Sequence, residues 1–396
     1  MRITVRPNDS LWYYSQLFNI PLPLLLAANP HLSAVSLQIG QQINIPGYET
    51  ASYTIQVHDS FWKISKQQQI PLDQLLLLNT ASIADNLQPG QSIASPVRVQ
   101  HAIVTDVTEY SYAKMQADID KLIEVYPFIQ KNVIGQTVLG KEIIELQFGT
   151  GARKKHINGA FHANEWITTP VIMQFANQYA LALTNQQPIN GLDMLPYFSQ
   201  NTLSLVPMVN ADGVDLVLFG AEAAGDKQES VLEINQGNQD FSDWKANING
   251  VDLNNQFPAL WEIDAARKPD SPQPRDFPDY APLTEPESIA MAELAQQQPF
   301  DIMNAFHTQG QEFYWGIQRL EPAASYVIAD EYERVSGYKS VQYVDSFSGY
   351  KDWFIQEFRH PGFTVELGLG VNPLPISQFD EIYADTLGIM LATLYM

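Results

Sequence analysis

Shifting the chain by 50 residues lays it over itself without a gap, and this constrains the fold more than any other feature. "TVRPNDSLWYYSQLFNIPLPLLLAANP" (4–30) aligns with "TIQVHDSFWKISKQQQIPLDQLLLLNT" (54–80), and "LQIGQQINIP" (37–46) with "LQPGQSIASP" (87–96). Between residues 4 and 46, 18 of 43 positions are identical to those 50 residues on. A repeat of this period means one supersecondary unit built twice. Each copy reads as strand, helix, helix, strand. "ITV" is a short strand, and "NDS" ahead of "LWYYSQLF" is an N-cap signal. "IPLPLLLAANP" makes a second helix, with Pro in its first turn and Asn near its end. "QQINIP" closes as a strand.

This pattern resembles the LysM domain, with modules expected at residues 1–48 and 51–97. The resemblance implies binding of N-acetylglucosamine-containing glycans, peptidoglycan or chitin, in a groove between two loops. One is the first strand–helix loop and the other follows the second helix. The glycan-binding residues expected on it are Asp9, Ser10 and Leu11, with Asn29 and Pro30 in a loop running to Leu32. In the second copy they are Asp59, Ser60 and Phe61, with Thr80 in a loop running to Ile83. The second copy carries Thr80 where the first has Pro30, which predicts a weaker groove.

The formal charge, 22 − 44 = −22, argues against nucleic acid and anionic membrane as partners. A wall polymer must then be held by hydrogen bonds and stacking rather than by charge. No apolar run reaches the roughly 18 residues a spanning helix needs. The N-terminus lacks a charged segment followed by an apolar stretch, so no standard secretory signal is read there. The expected setting is bacterial: cytoplasmic or spore-associated, or wall-associated by a non-standard route. There is no cysteine, so disulfides are excluded and any zinc must be held by His, Asp or Glu.

Beyond residue 100 the pattern changes. "YSYAKMQADIDKLIEVYP" (110–127) is an amphipathic helix ended by Pro127. Short apolar runs at 143–149, 156–161, 202–209, 301–306 and 362–367 alternate with helical stretches at 168–184, 285–298 and 322–337. That alternation predicts an α/β layered domain with a mixed sheet, spanning 105–396. Sites in such sheets lie outside strand carboxyl ends. His162 and Glu165 follow one predicted strand, His307 follows another, and Glu366 ends a third. Two imidazoles and a carboxylate make a three-ligand zinc site with an open fourth position. Such a metal polarises a carbonyl and lowers the pKa of its water. A separate glutamate would move the proton.

"FHANEW" (161–166), "VPMVNADGVD" (206–215), "WKANINGVDLNNQFP" (244–258), "AFHTQG" (305–310) and "FTVELG" (363–368) together resemble the carboxypeptidase A-type zinc metallopeptidases. The resemblance implies an α/β/α sandwich on a mixed eight-stranded sheet. It implies one zinc ion per chain at His162, Glu165 and His307, and Glu366 as general base and acid. It puts Lys245 where the family has a cation that steadies the oxyanion. The family's Asn-Arg pair, whose arginine clamps a terminal carboxylate, is Asn254-Asn255 here, so that two-pronged clamp is missing. Lys351 falls at the floor of the side-chain pocket and predicts an acidic substrate group. Tyr343 is the nearest candidate for the family's mobile tyrosine.

LysM modules ahead of a peptidase of this type resemble the γ-D-glutamyl-meso-diaminopimelate endopeptidases of spore-forming bacteria. The expected function is therefore peptidoglycan hydrolysis, with peptidoglycan glycan and stem peptides as partners. Two other readings stand beside it. One is a carboxypeptidase in which Arg267, Arg275, Arg319 or Arg334 replaces the missing clamp. The other is a wall-binding protein without catalysis.

Overall fold

In the first repeat, Ser10 and the two prolines set where helices begin. A computed structural model describes residues 1–32, 37–80 and 87–396. Ser10 has extended backbone, and its hydroxyl accepts from the Tyr13 N–H at the start of the helix Leu11–Phe18; Ser60 does the same for Lys63 and Phe61–Gln68. The second helices, Leu22–Ala27 and Leu72–Leu78, start after Pro21 and Pro71. In the first module, Arg2–Thr4 pairs antiparallel with Gln42–Asn44. In the second, Tyr48–Thr54 pairs with Ser92–Arg98 over seven residues, so its first strand starts before position 51.

The repeated polar residues are internal struts. Asn29 is buried; its Nδ2 donates to Leu25 O (2.8 Å) and Asn44 O (2.9 Å), and its Oδ1 accepts from Asn44 N. Asn79 repeats the arrangement with Leu75 and Ala94. Asp9 accepts from the Arg6 backbone and from Tyr14 Oη, and Asp59 from the Gln56 backbone and Tyr53 Oη. The two modules are also tied to each other. The Arg6 guanidinium makes a two-pronged contact with Asp73 (2.8 and 2.6 Å), and Tyr13 Oη donates to the same carboxylate.

These contacts show how the expected glycan-binding side chains are placed within the modules. Leu11 and Phe61 lie in the module cores, and Asn29 has spent its amide. Asp9 and Asp59 brace their loops, while Ser10 and Ser60 are exposed helix caps. Pro30 and Thr80 are exposed. The stretch 81–83 of the second expected loop lies outside the described residues.

The chain forms two compact units. One comprises residues 1–103, 119–130 and 177–199; the other comprises 104–118, 131–176 and 200–396. In the first, Gly47 joins the modules with a positive φ of 72°, and a Cβ there would stand 2.7 Å from Thr184 Cβ, so only glycine fits.

The rest of the chain builds one eight-stranded mixed sheet. Its order is Lys339–Val341, Glu312–Tyr314, Gly362–Leu367, Ile302–Thr308, Arg153–Asn158, Asn201–Val206, Glu142–Phe148 and Gln130–Gln136. The four inner strands, from Gly362–Leu367 to Asn201–Val206, run parallel. The strand Asn201–Val206 is buried along its whole length, as expected for a parallel strand covered on both faces. The long helices Thr168–Asn185, Pro286–Gln297, Ala323–Ser336 and Phe379–Tyr395 supply the covering layers. Two strand limits differ from the sequence pattern. The run 156–161 leaves the sheet at Asn158, and Ile302–Thr308 extends past Phe306, so His307 lies inside the strand. Among the described residues no helix is long and apolar enough to cross a membrane.

Candidate active site

Residues 162–165 form a single 3₁₀ turn, Ala163–Glu165 with His162 at its N-cap, closed by Glu165 N–H to His162 O at 3.2 Å. In a 3₁₀ turn, side chains at i and i+3 eclipse. His162 and Glu165 therefore project together. Asn210 holds this loop, donating to Phe161 O (3.2 Å) and Ala246 O (3.0 Å), while Ala163 N–H reaches Lys245 O (3.0 Å). Gly213 allows the helix Ala211–Phe219 to come close: a Cβ on it would lie 2.8 Å from Ala163 Cβ.

The third group arrives from the sheet. His307 and Glu366 are register partners on adjacent parallel strands. His307 Nδ1 is 3.0 Å from His162 Nδ1 and 2.9 Å from Glu165 Oε2, and His162 Nδ1 is 2.9 Å from Glu165 Oε1. One ligand atom from each of the three residues lies within 4.8 Å of the others, and all three residues are buried. Two imidazole nitrogens and a carboxylate, with no thiolate, are the donor set of a catalytic zinc site. His162 turns its other nitrogen to Asp252 Oδ1 (3.2 Å), the carboxylate support that orients a metal-binding imidazole. Glu165 is steadied by Thr308 N–H (3.1 Å) and Asn372 Nδ2 (3.4 Å).

The charges are balanced locally. Burial opposes ionisation of Glu165, but His162 and His307 hold its carboxyl well below the usual range. Burial likewise opposes charge on Asp252, yet Lys245 and His162 keep it ionised. For His162 burial is outweighed by Glu165 and Asp252, so its pKa rises; for His307 burial and the neighbouring His162 lower it. Glu366 is half-buried, and desolvation followed by the nearby Glu165 pushes its carboxyl up to about 8. Lys245 Nζ lies 2.9 Å from Asp252 and 3.2 Å from Asp276, with burial outweighed by those carboxylates, so it stays cationic.

The remaining expected residues stand as follows. Asn254 is half-buried, and its Oδ1 accepts from Tyr350 N–H at 2.9 Å. Asn255 is buried, and its Oδ1 accepts from Lys268 Nζ at 2.7 Å. Tyr343 is exposed and donates to Glu321 (2.6 Å); no hydrogen bond joins it to the three clustered residues among the described ones. Lys351 lies at the start of the helix Tyr350–Phe358. Its side chain is only 3% exposed, and its ammonium meets Asp352 Oδ1 at 2.5 Å and Gly316 O at 3.3 Å. The ammonium is thus partnered by a neighbouring carboxylate whose own pKa burial raises. Asp252, Asn372 and Lys268 were not singled out from the sequence. Asp252 lies within the quoted "GVDLNN"; Asn372 reaches Glu165 across 207 residues, which no local pattern reports, and Lys268 contacts Asn255, 13 residues before it.

Comparison with known proteins gives a consistent result. The family described as zinc carboxypeptidase matches residues 115–388, and the LysM domain family matches 3–46 and 53–96. A Lysinibacillus sphaericus protein named gamma-D-glutamyl-L-diamino acid endopeptidase 1 is 58% identical over 396 residues, covering all of both chains. An uncharacterized protein of Bacillus subtilis (strain 168), YqgT, is 48% identical over 290 residues, 72% of this chain and 77% of its own. Among solved structures, bovine thrombin-activatable fibrinolysis inhibitor superposes with a TM-score of 0.56 at 16% identity, over 75% of this chain and 97% of that one, a likeness of fold.

Proposed function

The chain belongs to the zinc carboxypeptidase family and carries two LysM domains ahead of it, and from that premise we propose that it hydrolyses the bond between γ-D-glutamate and the diamino acid, meso-diaminopimelate, of peptidoglycan stem peptides. One observation carries the reading: end-to-end identity of 58% with a relative named for that endopeptidase activity. The missing arginine at Asn255 supports it, because a peptidase without that clamp does not depend on a free terminal carboxylate.

We assign catalysis to 105–396 and glycan recognition to 1–48 and 51–97. His162, Glu165 and His307 would hold the zinc, which would supply Lewis acidity and make water a better nucleophile at neutral pH. Glu366 takes the water's proton and returns it to the leaving amine. Lys245 stands ready for negative charge developing on the carbonyl oxygen, and as a lysine it does so as a point charge rather than a fork. Asp252 keeps His162 oriented. The setting is wherever a bacterium exposes peptidoglycan to the protein, on or within the wall or around a spore.

Mass spectrometry of muropeptides digested with the zinc-loaded protein tests the bond. Fragments ending in γ-D-glutamate, with the diaminopimelate part released, are expected. Single C-terminal amino acids as the main product would make the protein a carboxypeptidase instead.

The LysM domains are expected to retain the full chain on insoluble peptidoglycan with little dependence on salt, given a formal charge of −22. Sedimentation at low and high ionic strength measures this. Release at moderate salt would mean that charge, not hydrogen bonding, holds the glycan.

A further inference from the structure

Several side chains expected on the glycan are turned inward: Leu11, Phe61 and Asn29 are buried. With a formal charge of −22, the chain has little attraction to an anionic wall either. Apolar contact with a sugar then has to come from a side chain that faces solvent. Two do so at matching places. Trp12 is 65% exposed and Trp62 is 62% exposed. They occupy one position of the repeat, 50 residues apart, as the second residue of the helices Leu11–Phe18 and Phe61–Gln68.

A single exposed apolar side chain on a protein surface needs no explanation. The same tryptophan kept in two copies that share only 18 of 43 positions does. Other exposed identities shape the backbone. Ser10 and Ser60 cap the helices, and Gly40 and Gly90 take positive φ of 86° and 87°. The tryptophans do no such work. Among the described residues neither indole N–H has a hydrogen-bond partner in the protein, and no ring or cation lies against Trp12. An indole offers a flat apolar face and an N–H donor at its edge. A β-linked N-acetylglucosamine ring offers the complement, C–H groups on its faces and hydroxyl and acetamido oxygens around its rim. Each tryptophan directly follows the strand–helix loop expected to border the groove, 9–11 or 59–61.

We propose that Trp12 and Trp62 are stacking platforms for the pyranose rings of an N-acetylglucosamine-containing strand, one in each module and additional to the two loops that bound the expected groove. This rests on the reading of the LysM domains as glycan-binding. Trp12 is the stronger platform. The Lys66 ammonium stands 6.0 Å from the centre of the Trp62 ring, a cation–π contact that a sugar has to displace or share. The equivalent residue of the first module is the uncharged Gln16.

Calorimetry of the zinc-loaded full chain with a β-1,4-linked N-acetylglucosamine hexamer tests this, alongside Trp12→Ala, Trp62→Ala, the double variant and Trp12→Phe. Trp12→Ala is expected to weaken binding by about tenfold, the scale of one aromatic contact. Trp62→Ala should cost less, and Trp12→Phe should retain most of the affinity. Thermal unfolding should be unchanged, because both rings lie outside the module cores. The ¹⁵N indole signals missing from each variant identify Trp12 and Trp62 among the seven tryptophans, and these two should shift most when hexamer is added to the parent chain. Equal affinity of the parent and the double variant would overturn the platforms and leave the LysM reading standing. If the parent binds neither the hexamer nor insoluble peptidoglycan, reading and platforms fall together. If Trp12→Ala turns a dimer into a monomer at unchanged affinity, the exposed rings are a contact between copies and the platforms are wrong.

Discussion

Glu366→Gln is expected to lower stem-peptide cleavage by about 10²–10⁴-fold, the usual range for a general acid–base group, while zinc stays bound. Glutamine keeps the shape of the side chain at the end of the strand Gly362–Leu367, so the pairing with Ile302–Thr308 is preserved. What is lost is the ability to take a proton. The direction of the pH effect follows from the surroundings. Desolvation and then Glu165 raise the Glu366 carboxyl to about 8, while His162 and Lys245 pull the other way. A base works as the carboxylate, so activity falls as pH drops through its working pKa. A bound divalent cation moves that point further down, and the acid limb of kcat/KM is expected below pH 8. The check is kcat/KM together with metal content on the same sample. An unimpaired Glu366→Gln enzyme, or one that has lost its zinc, would remove Glu366 from the role of base.

His307→Ala is expected to take zinc from one per chain to nearly none, and cleavage with it. His307 supplies one of only two imidazole nitrogens in the cluster, and the chain has no thiol to substitute. Two protein ligands do not make the three-ligand site that catalytic zinc uses. Elemental analysis after exhaustive dialysis reads the result directly, and circular dichroism checks that the fold survives. Full metal content with retained activity would show that the ion lies elsewhere.

Much of this arrangement was legible from local pattern. The run "GFTVEL" became the strand Gly362–Leu367 because it is short, apolar and β-branched, and the capping serines began their helices as the motif predicts. "HINGAF" misled because a short apolar run does not reveal where it leaves the sheet. Ala160 takes a positive φ of 50°, and a Cβ on Gly159 would lie 2.9 Å from Thr168 Oγ1, so the chain turns there to deliver His162. The pairing of Lys351 with Asp352 is equally hidden, because local sequence does not report that both side chains are buried together. Asp252 and His162 are 90 residues apart, and no periodicity reports such a meeting.

The Arg6–Asp73 contact bears on how the wall is gripped. Two modules on a slack tether gain avidity from any pair of sites within reach, at an effective concentration set by tether length. Modules joined by a two-pronged ion pair, with Tyr13 reinforcing it, have no such latitude. The contact restricts how the two modules can move relative to one another. A glycan strand that reaches both engages them at little further entropic cost. Stem-peptide cleavage leaves glycan strands their full length, so a strand held by both modules would stay held while its peptides are cut.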